Sequence, residues 1–325
     1  MSTVRLLAAL GLVLAVCALG VLAGSSGFGW AAPDIVWRIR VPRVLAGFGA
    51  GAALAVSGAL MQALTRNALA DPYVLGVAGG ASVGALAVML AASAGGVGLG
   101  EWGIALGAAV GAGLASALLF GLMWRRLASQ AAGTDASSAL LLVGVMIGSG
   151  CTAMVSLILS VADEGQLRGM VFWLLGDLNG ATHWEIVWAA LAVALAIVWP
   201  SARELDWLAR GDAWAATLGV AVAKRRRSVL LAASLATGAA VAVAGAIGFV
   251  GLVVPHVLRR LGVRAAPLLL PASALLGGAF VVGVDAVART VLAPLQLPVG
   301  VLAAAVGVPT FIAMLLGRPG GAKRS

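Results

Sequence analysis

Ten continuous apolar stretches, most of them about 20 residues long, constrain what this chain can fold into. An α-helix of about 20 apolar residues spans the ~30 Å hydrocarbon core of a bilayer, whereas a transmembrane β-strand would show short alternating runs. We therefore predict an all-α polytopic membrane protein with about ten transmembrane helices, forming a single domain over residues 1–325. The predicted spans are Val4–Ala23, Val44–Leu64, Val74–Ala94, Gly103–Trp124, Ser138–Val161, Trp184–Trp199, Ser228–Gly248, a short Leu252–Leu261, Pro267–Val287 and Pro298–Leu316.

Charge and glycine content support the same class. Only 10% of the residues are charged, whereas a soluble domain usually carries about 25%. The 45 glycines suit close helix packing in lipid, where small residues let backbones approach. The formal charge of +9 would suggest nucleic acid in a soluble protein, but here the basic residues lie in the gaps between apolar runs. They therefore indicate topology, and we expect no nucleic-acid partner.

The basic residues divide unequally between the two sides of the membrane. With the N-terminus inside, 16 of the 21 fall on the cytoplasmic side. This asymmetry predicts that both termini are cytoplasmic. The five on the opposite side are Arg38, Arg40, Arg43, Arg168 and Arg289.

The longest cytoplasmic insert separates the sixth and seventh spans. Its apolar residues Leu205 and Leu208, and then Trp214 and Leu218, are spaced by three or four positions. This spacing is typical of two short amphipathic helices, which we expect to be broken at Gly211. Two interpretations stay open: helices at the lipid interface with the basic run after them as a stop signal, or a docking element for a cytoplasmic protein.

Arginines are concentrated where positive charge is otherwise scarce. Arg40 and Arg43 start the second span, and Arg289 lies on the same side, four residues after Asp285. Arginine pairs with carboxylates in a bidentate manner, so a site for an acidic partner is one interpretation. The other is ordinary snorkelling, with Asp285 and Arg289 as an i, i+4 pair.

A glycine-rich stretch interrupts the apolar pattern between the seventh and eighth spans. It contains Gly245, Gly248 and Gly251, and Pro255 follows. Broken helices often mark a translocation path, and a packed turn is the alternative.

Several kinds of active site are missing from the sequence. Neither of the two lysines, Lys224 and Lys323, follows a Walker A pattern, and we find no nucleophile elbow and no H-E-x-x-H motif. Cys17 and Cys151 lie inside apolar runs, which argues against a disulfide or a metal site. We therefore expect no enzyme, no covalently bound cofactor and no metal, with any ATP hydrolysis on another chain. Charges inside the spans are scarce, which disfavours an ion-coupled secondary transporter or a channel, the alternative function.

Several segments together resemble the iron-chelate and cobalamin permease family of type II ATP-binding-cassette (ABC) importers. Their order and spacing cover nearly the whole chain from Arg38 onward. One departure is Arg210, before Gly211 and Asp212, where the family more often has an uncharged residue before Gly-Glu. The matching segments are Arg40–Gly47, Gly51–Gln62, Asn67–Gly76, Phe172–Gly176, Leu208–Gly219, Gly248–His256, Asp285–Arg289 and Leu297–Leu302.

The resemblance implies a type II importer transmembrane domain in the bacterial inner membrane. Its partners would be a second copy of the chain, a cytoplasmic ATPase that uses the ATP, and a periplasmic binding protein. It leaves open whether siderophore-iron, haem or cobalamin is carried.

The resemblance also assigns roles to particular residues. Residues 204–223 would form the coupling helices that contact the ATPase, with Glu204, Leu208, Gly211, Asp212, Leu218 and Gly219 in that contact. Binding-protein docking would involve Arg40, Arg43 and Arg289. The pathway and its gate would include Gly248, Gly251, Pro255 and, on the fifth span, Met146 and Ser149.

Overall fold

The computed structural model describes residues 3–24, 27–29, 32–95, 100–128, 133–181 and 183–316. Both chain ends lie outside these ranges, so the predicted cytoplasmic position of the termini stays a prediction. The longer helices are α1 (Thr3–Leu22), α3 (Val41–Thr65), α4 (Val77–Gly95), α5 (Gly100–Ala128), α6 (Gly133–Val161), α8 (Trp184–Val198), α11 (Val222–Ala244), α13 (Ala266–Thr290) and α14 (Val299–Leu316). The shorter ones are α2 (Pro33–Ile35), α7 (Glu164–Leu174), α9 (Ala202–Leu208), α10 (Asp212–Thr217) and α12 (Val250–Arg260).

Short irregular elements connect some of these helices. A π-helical turn, Val36–Arg40, joins α2 to α3, and 3-10 turns cover Pro72–Leu75 and Trp199–Ser201. Two-residue strands β1 (Ala23–Gly24) and β2 (Gly27–Phe28) pair antiparallel after α1.

Each of the ten predicted spans corresponds to a helix. Six helical segments in the described ranges are long and apolar enough to cross a bilayer, and three more are apolar but shorter. The predicted short eighth span is α12, with eleven residues. The helical membrane fold is thus confirmed, while crossing by α1, α4, α12 and α14 stays a prediction.

The helix α3 occupies the centre of the bundle. In the segment Pro33–Thr65, 89% of the most apolar stretch of 18 residues is buried. The helix α3 packs against α8, α11, α12 and α13. Small residues permit this packing: a side chain at Gly51 would overlap the backbone of Gly277, and one at Gly58 would overlap that of Gly251. The prediction that glycines serve close helix packing is confirmed at these crossings.

The second span begins earlier than predicted. A continuous helical segment starts at Pro33, eleven residues before Val44, and passes through the π-helical turn. Within that turn Val36 and Arg40 are buried, whereas Trp37 and Ile39 are exposed. The extra turns bring Arg40 into the bundle.

The helix α7 was not predicted. It lies between α6 and α8 and packs against α4. Its sequence contains Glu164, Gln166 and Arg168, and eleven residues are too few to register as an apolar span.

Candidate functional site

The predicted coupling segment, residues 204–223, forms two short helices. The chain leaves α9 at Leu208 and enters α10 at Asp212, and Gly211 between them has a φ of 132°. This backbone region favours glycine because a Cβ atom would be strained there. The prediction of two helices broken at Gly211 is confirmed, and Gly219 (φ 80°) ends the second one in a similar way.

The coupling segment has one buried and one exposed apolar face. Leu205 and Leu208 are buried against the bundle, whereas Trp214 and Leu218 are 41% and 46% exposed. Exposed apolar side chains on a helical hairpin fit either a partner surface or the lipid interface. The assignment of Glu204, Leu208, Gly211, Asp212, Leu218 and Gly219 to an ATPase contact stays a prediction.

Ion pairs fasten the coupling segment to the bundle. Arg225 at the start of α11 donates to Glu204, with 2.9 Å between Nε and Oε2. Asp212 pairs with Arg226, and it lies 3.9 Å from a guanidinium nitrogen of Arg66 at the end of α3. These ion pairs place α10 against the start of α11 and beside the end of α3.

A further bond connects α9 to α13. The backbone N–H of Ala266 donates to Asp206 Oδ1 at 2.9 Å, which satisfies an otherwise free donor at the helix start. Local sequence patterns gave no signal for Asp206, because its partner lies 60 positions away.

The three predicted docking arginines meet at the opposite end of the bundle. Arg43 donates to Asp285 Oδ1 at 2.8 Å and to Gln296 Oε1 at 2.8 Å. Arg289 pairs with the other oxygen of Asp285 at 2.9 Å, so the predicted i, i+4 pair is present. We call Arg40, Arg43, Asp285 and Arg289 the arginine cluster.

Backbone carbonyls complete the arginine cluster. Arg40 and Arg289 reach the last turn of α1 and the strands that follow, so they tie α1 to α3 and α13. The accepting oxygens are those of Val21, Leu22 and Gly29 for Arg40, at 2.9 to 3.1 Å, and of Ala23 and Gly20 for Arg289, at 2.7 and 2.9 Å.

The arginines of this cluster are buried. Arg40, Arg43 and Arg289 are only 6%, 6% and 3% exposed. Burial of a guanidinium is tolerated when it is paired and hydrogen-bonded, as these are. In this conformation they organise the end of the bundle, and a role in docking stays a prediction.

Asp177 adds a carboxyl group near the arginine cluster, in the loop after α7. Burial raises the pKa of Asp177, while its hydrogen bond from the Asn179 N–H and the charge of Arg43 partly offset that rise. Arg43 thus acts on carboxyls from two segments.

The glycine-rich stretch forms a turn packed against its neighbours. The helix α11 ends at Ala244, Gly245 has a φ of 65° and Phe249 one of 67°, and α12 follows. A Cβ at Gly245 would overlap the carbonyl of Trp173. Phe249 is not a glycine, so its left-handed backbone stores strain at the point where α12 begins.

A glutamine of α3 holds the start of α12. Gln62 Nε2 donates to the carbonyls of Leu252 at 3.2 Å and Gly251 at 3.4 Å, and Arg259 bonds the amide oxygen of Gln62. Gln62 ends the matching segment Gly51–Gln62, but the resemblance assigned it no role. A buried amide between two helices has no signal in hydropathy.

The predicted pathway residues fall into two environments. Gly251 and Pro255 are buried and Gly248 is half-buried, whereas Met146 and Ser149 are exposed on α6. Met146 lines an apolar groove of about 730 Å³ between α4, α5 and α6. The assignment of all five to a pathway stays a prediction.

The helix α6 has the least cover of the long apolar helices described. Of the 18 consecutive residues that form its most apolar stretch, only 11% are buried, compared with 89% in the segment that contains α3. Its outward residues include Leu142, Met146, Met154 and Leu157. Another surface must cover this face, whether a second protein chain or lipid.

The loop from α3 to α4 carries a half-buried carboxyl group. Asp71 accepts a hydrogen bond from the Tyr73 N–H at 2.8 Å and caps the 3-10 turn Pro72–Leu75. Burial raises the pKa of Asp71 to about 6, and the Tyr73 N–H lowers it in part. Burial and the charge of Asp71 also raise the pKa of Tyr73.

Stability should therefore depend on pH through Asp71. The raised pKa means that the folded chain keeps a proton that the unfolded chain releases between about pH 4 and pH 6. This contribution is present at the acidic end and is lost as the pH rises through about 6. We expect Asp71→Asn, which keeps a capping oxygen, to match the wild type near pH 4 and to be more stable near pH 7.

Thermal unfolding in detergent across this range would check that expectation. Asp34→Asn, which removes a carboxylate at an exposed site, is the control, and the change in slope should be larger in Asp71→Asn than in Asp34→Asn. An unchanged slope in Asp71→Asn would show that Asp71 titrates normally.

The described helices and the two ends of the bundle define a polytopic helical membrane protein. A family model described as the FecCD transport family matches residues 6–317. The chain belongs to this family.

Individual relatives support the match. The chain is 39% identical over 317 residues to the vitamin B12 import system permease protein BtuC of Escherichia coli O6:K15:H31, covering 94% of this chain and 91% of that one. It is 38% identical over 283 residues to BtuC of Klebsiella pneumoniae, covering 86% and 82%. A solved structure described as an inward-facing conformation of a metal-chelate type ABC transporter aligns with a TM-score of 0.82 and 26% identity, covering 96% of this chain and 98% of that chain. The predicted fold, the all-α transmembrane domain of a type II importer, is confirmed.

Proposed function

We propose that this chain is the transmembrane permease subunit of an ATP-driven importer that carries a metal chelate into the cytoplasm by alternating access. Cobalamin is the first substrate to test, because the BtuC relatives are named for vitamin B12 import. Siderophore-iron and haem are the other members of the class.

The fastening of the coupling segment is the observation that carries this proposal. Asp212 contacts Arg226 and Arg66, and Asp206 holds the start of α13. An exposed apolar pair, Trp214 and Leu218, lies on the same segment. A separate cytoplasmic ATPase would hydrolyse the ATP and move as it does so. An element bonded in this way can transmit that motion to α3, α11 and α13.

The remaining partners follow from the other surfaces. A second copy of the chain would cover the exposed face of α6, forming a homodimer with the pathway between the copies. A periplasmic binding protein would dock at the end that holds the arginine cluster. The coupling segment and both termini would then lie in the cytoplasm, with the chain in the bacterial inner membrane.

The exposed apolar pair of the coupling segment, Trp214 and Leu218, provides the direct test. Trp214→Ala with Leu218→Asp should reduce the ATPase that co-purifies from native membranes by about tenfold or more. Truncating apolar side chains that an interface would bury removes about 1.4 kcal/mol or more of binding free energy. ATP-dependent uptake of cobalamin into proteoliposomes should fall in parallel. The control is Trp37→Ala with Ile39→Asp, an exposed pair at the opposite end of the bundle.

Two outcomes would contradict the proposal. The control and the Trp214 and Leu218 variant could retain equal amounts of ATPase. Alternatively, the chain reconstituted alone could take up substrate when only an ion gradient is supplied. The second result would favour the ion-coupled transporter or channel.

A further inference from the structure

The basic run at the start of α11 divides into two pairs of residues. Arg225 and Arg226 are engaged by Glu204 and Asp212 of the coupling segment. Lys224 and Arg227, three positions apart, have no carboxylate partner among the described residues. They line a cleft of about 400 Å³ with residues 221–223, which we call the basic cleft.

Arg227 is held in place without being neutralised. Its guanidinium carbon lies 3.8 Å from the ring centroid of Trp124, near the end of α5. Its Nε is buried and has no hydrogen-bond partner within the described part of the chain. Stacking on an aromatic ring positions the cation but leaves its N–H groups free for an anion.

An apolar groove begins about one helical turn along α11 from Arg227, at Leu231. It has a volume of about 500 Å³ and lies between α5, α8 and α11. We call it the tail groove. Its lining includes Ala109, Gly113 and Phe120 on α5 and Leu231 and Gly238 on α11.

The register of α5 against α11 aligns the tail groove with the basic cleft. A Cβ at Gly238 would meet Ala112, while Arg227 stacks on Trp124. The two helices are therefore antiparallel neighbours along this whole length. At 3.6 residues per turn, Phe120 of the groove lies about one turn from Trp124.

The length of the tail groove corresponds to one leaflet. From Ala109 to Phe120 is eleven residues, or about 16 Å at 1.5 Å per residue. Half of a ~30 Å hydrocarbon core is about 15 Å. The groove thus suits an acyl chain of one leaflet rather than a span of both.

We propose that the basic cleft and the tail groove together bind an anionic phospholipid. The phosphate would lie against Lys224 and Arg227, and one acyl chain would lie in the groove. Basic pockets between transmembrane helices commonly bind anionic headgroups, and tryptophan favours the interface depth at which Trp124 would lie. Neither free phosphate nor an acidic protein surface would use the apolar groove. The lipid would lie beside the coupling segment, because the adjacent Arg225 and Arg226 form ion pairs with Glu204 and Asp212 of that segment.

Native mass spectrometry of the purified full chain, with phosphatidylglycerol or phosphatidylcholine added, tests the headgroup. We expect the wild type to retain phosphatidylglycerol at least tenfold better, and Lys224→Ala with Arg227→Ala to lose most of that preference. Arg227→Lys should keep a measurable part of it. Arg203→Ala with Arg264→Ala removes the same charge from exposed positions at the same end and should change nothing.

A matched glycine pair tests the tail. A side chain at Gly113 or at Gly121 would meet no atom within 4 Å, but only Gly113 lines the groove. Gly113→Phe should reduce retention of both lipids severalfold, and Gly121→Phe should not.

Three results would overturn the proposal. Inorganic phosphate could displace the bound lipid at millimolar concentration, which would indicate a free-phosphate site. The Lys224 and Arg227 variant could lose co-purified ATPase with lipid retention unchanged, or Gly113→Phe could change the monomer–dimer ratio with lipid retention unchanged. Those results would assign the surface to a protein partner.

Discussion

Asp285→Ala should lower the free energy of unfolding by about 3–5 kcal/mol, one of the two largest effects we expect. Asp285 is 1% exposed and is bonded to Arg43 and Arg289 at 2.8 and 2.9 Å. Removing this carboxylate leaves two buried guanidinium groups without their anion. The cost comes from those uncompensated charges more than from the lost attraction.

Detergent-solubilised protein with intrinsic fluorescence as readout would measure this effect, since the chain has ten tryptophans. Asp34→Ala is the matched control, because it breaks an ion pair with Arg38 at 3.6 Å between side chains that are 89% and 82% exposed. Exposed pairs contribute little, so its unfolding should stay close to that of the wild type.

A double-mutant cycle separates the ion pair from general loss of packing. Arg43→Gln removes one of the two charges that Asp285 balances, so the loss in Arg43→Gln with Asp285→Ala should be clearly smaller than the sum of the two single losses. Additive losses would mean that Arg43 and Asp285 act independently, and the account of the arginine cluster would be wrong.

Local sequence patterns predicted the elements of this fold well. Apolar runs indicated every long helix, and three- to four-residue spacing indicated α9 and α10 with the break at Gly211. Both signals depend on neighbours along the chain, which a single sequence contains. The helix α7 carries charge within a short length, so hydropathy gave no signal for it.

Pairings between distant segments could not be predicted in the same way. The arginines were correctly placed at one end of the bundle, but Arg43 and Asp285 are 242 positions apart, and their burial follows from how α1, α3 and α13 pack. Asp206 and Gln62 were missed for the same reason. The resemblance to a family supplied roles for residues, but not the partners that fix their geometry.

The two ends of the bundle share one construction principle. At one end, a carboxylate and backbone carbonyls bind arginines that join α1, α3 and α13. At the other, Asp212 and Asp206 join the coupling segment to α3, α11 and α13. Because α3 and α13 take part at both ends, a displacement of the coupling segment can reach the opposite end through these two helices.

The crossing of α3 with α12 lies between these ends, and Gly58→Val should destabilise the protein by about 3 kcal/mol or more. A Cβ at Gly58 would overlap the carbonyl oxygen, the carbonyl carbon and the Cα of Gly251. Gly251 is itself in close contact with Pro72 and Leu54. Backbone atoms cannot turn aside as a flexible side chain can, so α12 would have to move away from α3. The Gln62 hydrogen bonds to Gly251 and Leu252 would then lengthen or break.

Gly121→Val on α5 is the control, because a Cβ there meets no atom within 4 Å. Alanine at the same two positions sharpens the comparison: it improves helix propensity by up to about 1 kcal/mol, so Gly121→Ala should be neutral or slightly stabilising, whereas Gly58→Ala should still destabilise. Thermal unfolding of the four variants gives the difference in sign directly. Equal midpoints for Gly58→Ala and Gly121→Ala would mean that α12 can move away from α3 at little cost, and the crossing would then be a place where the bundle yields during transport rather than a fixed contact.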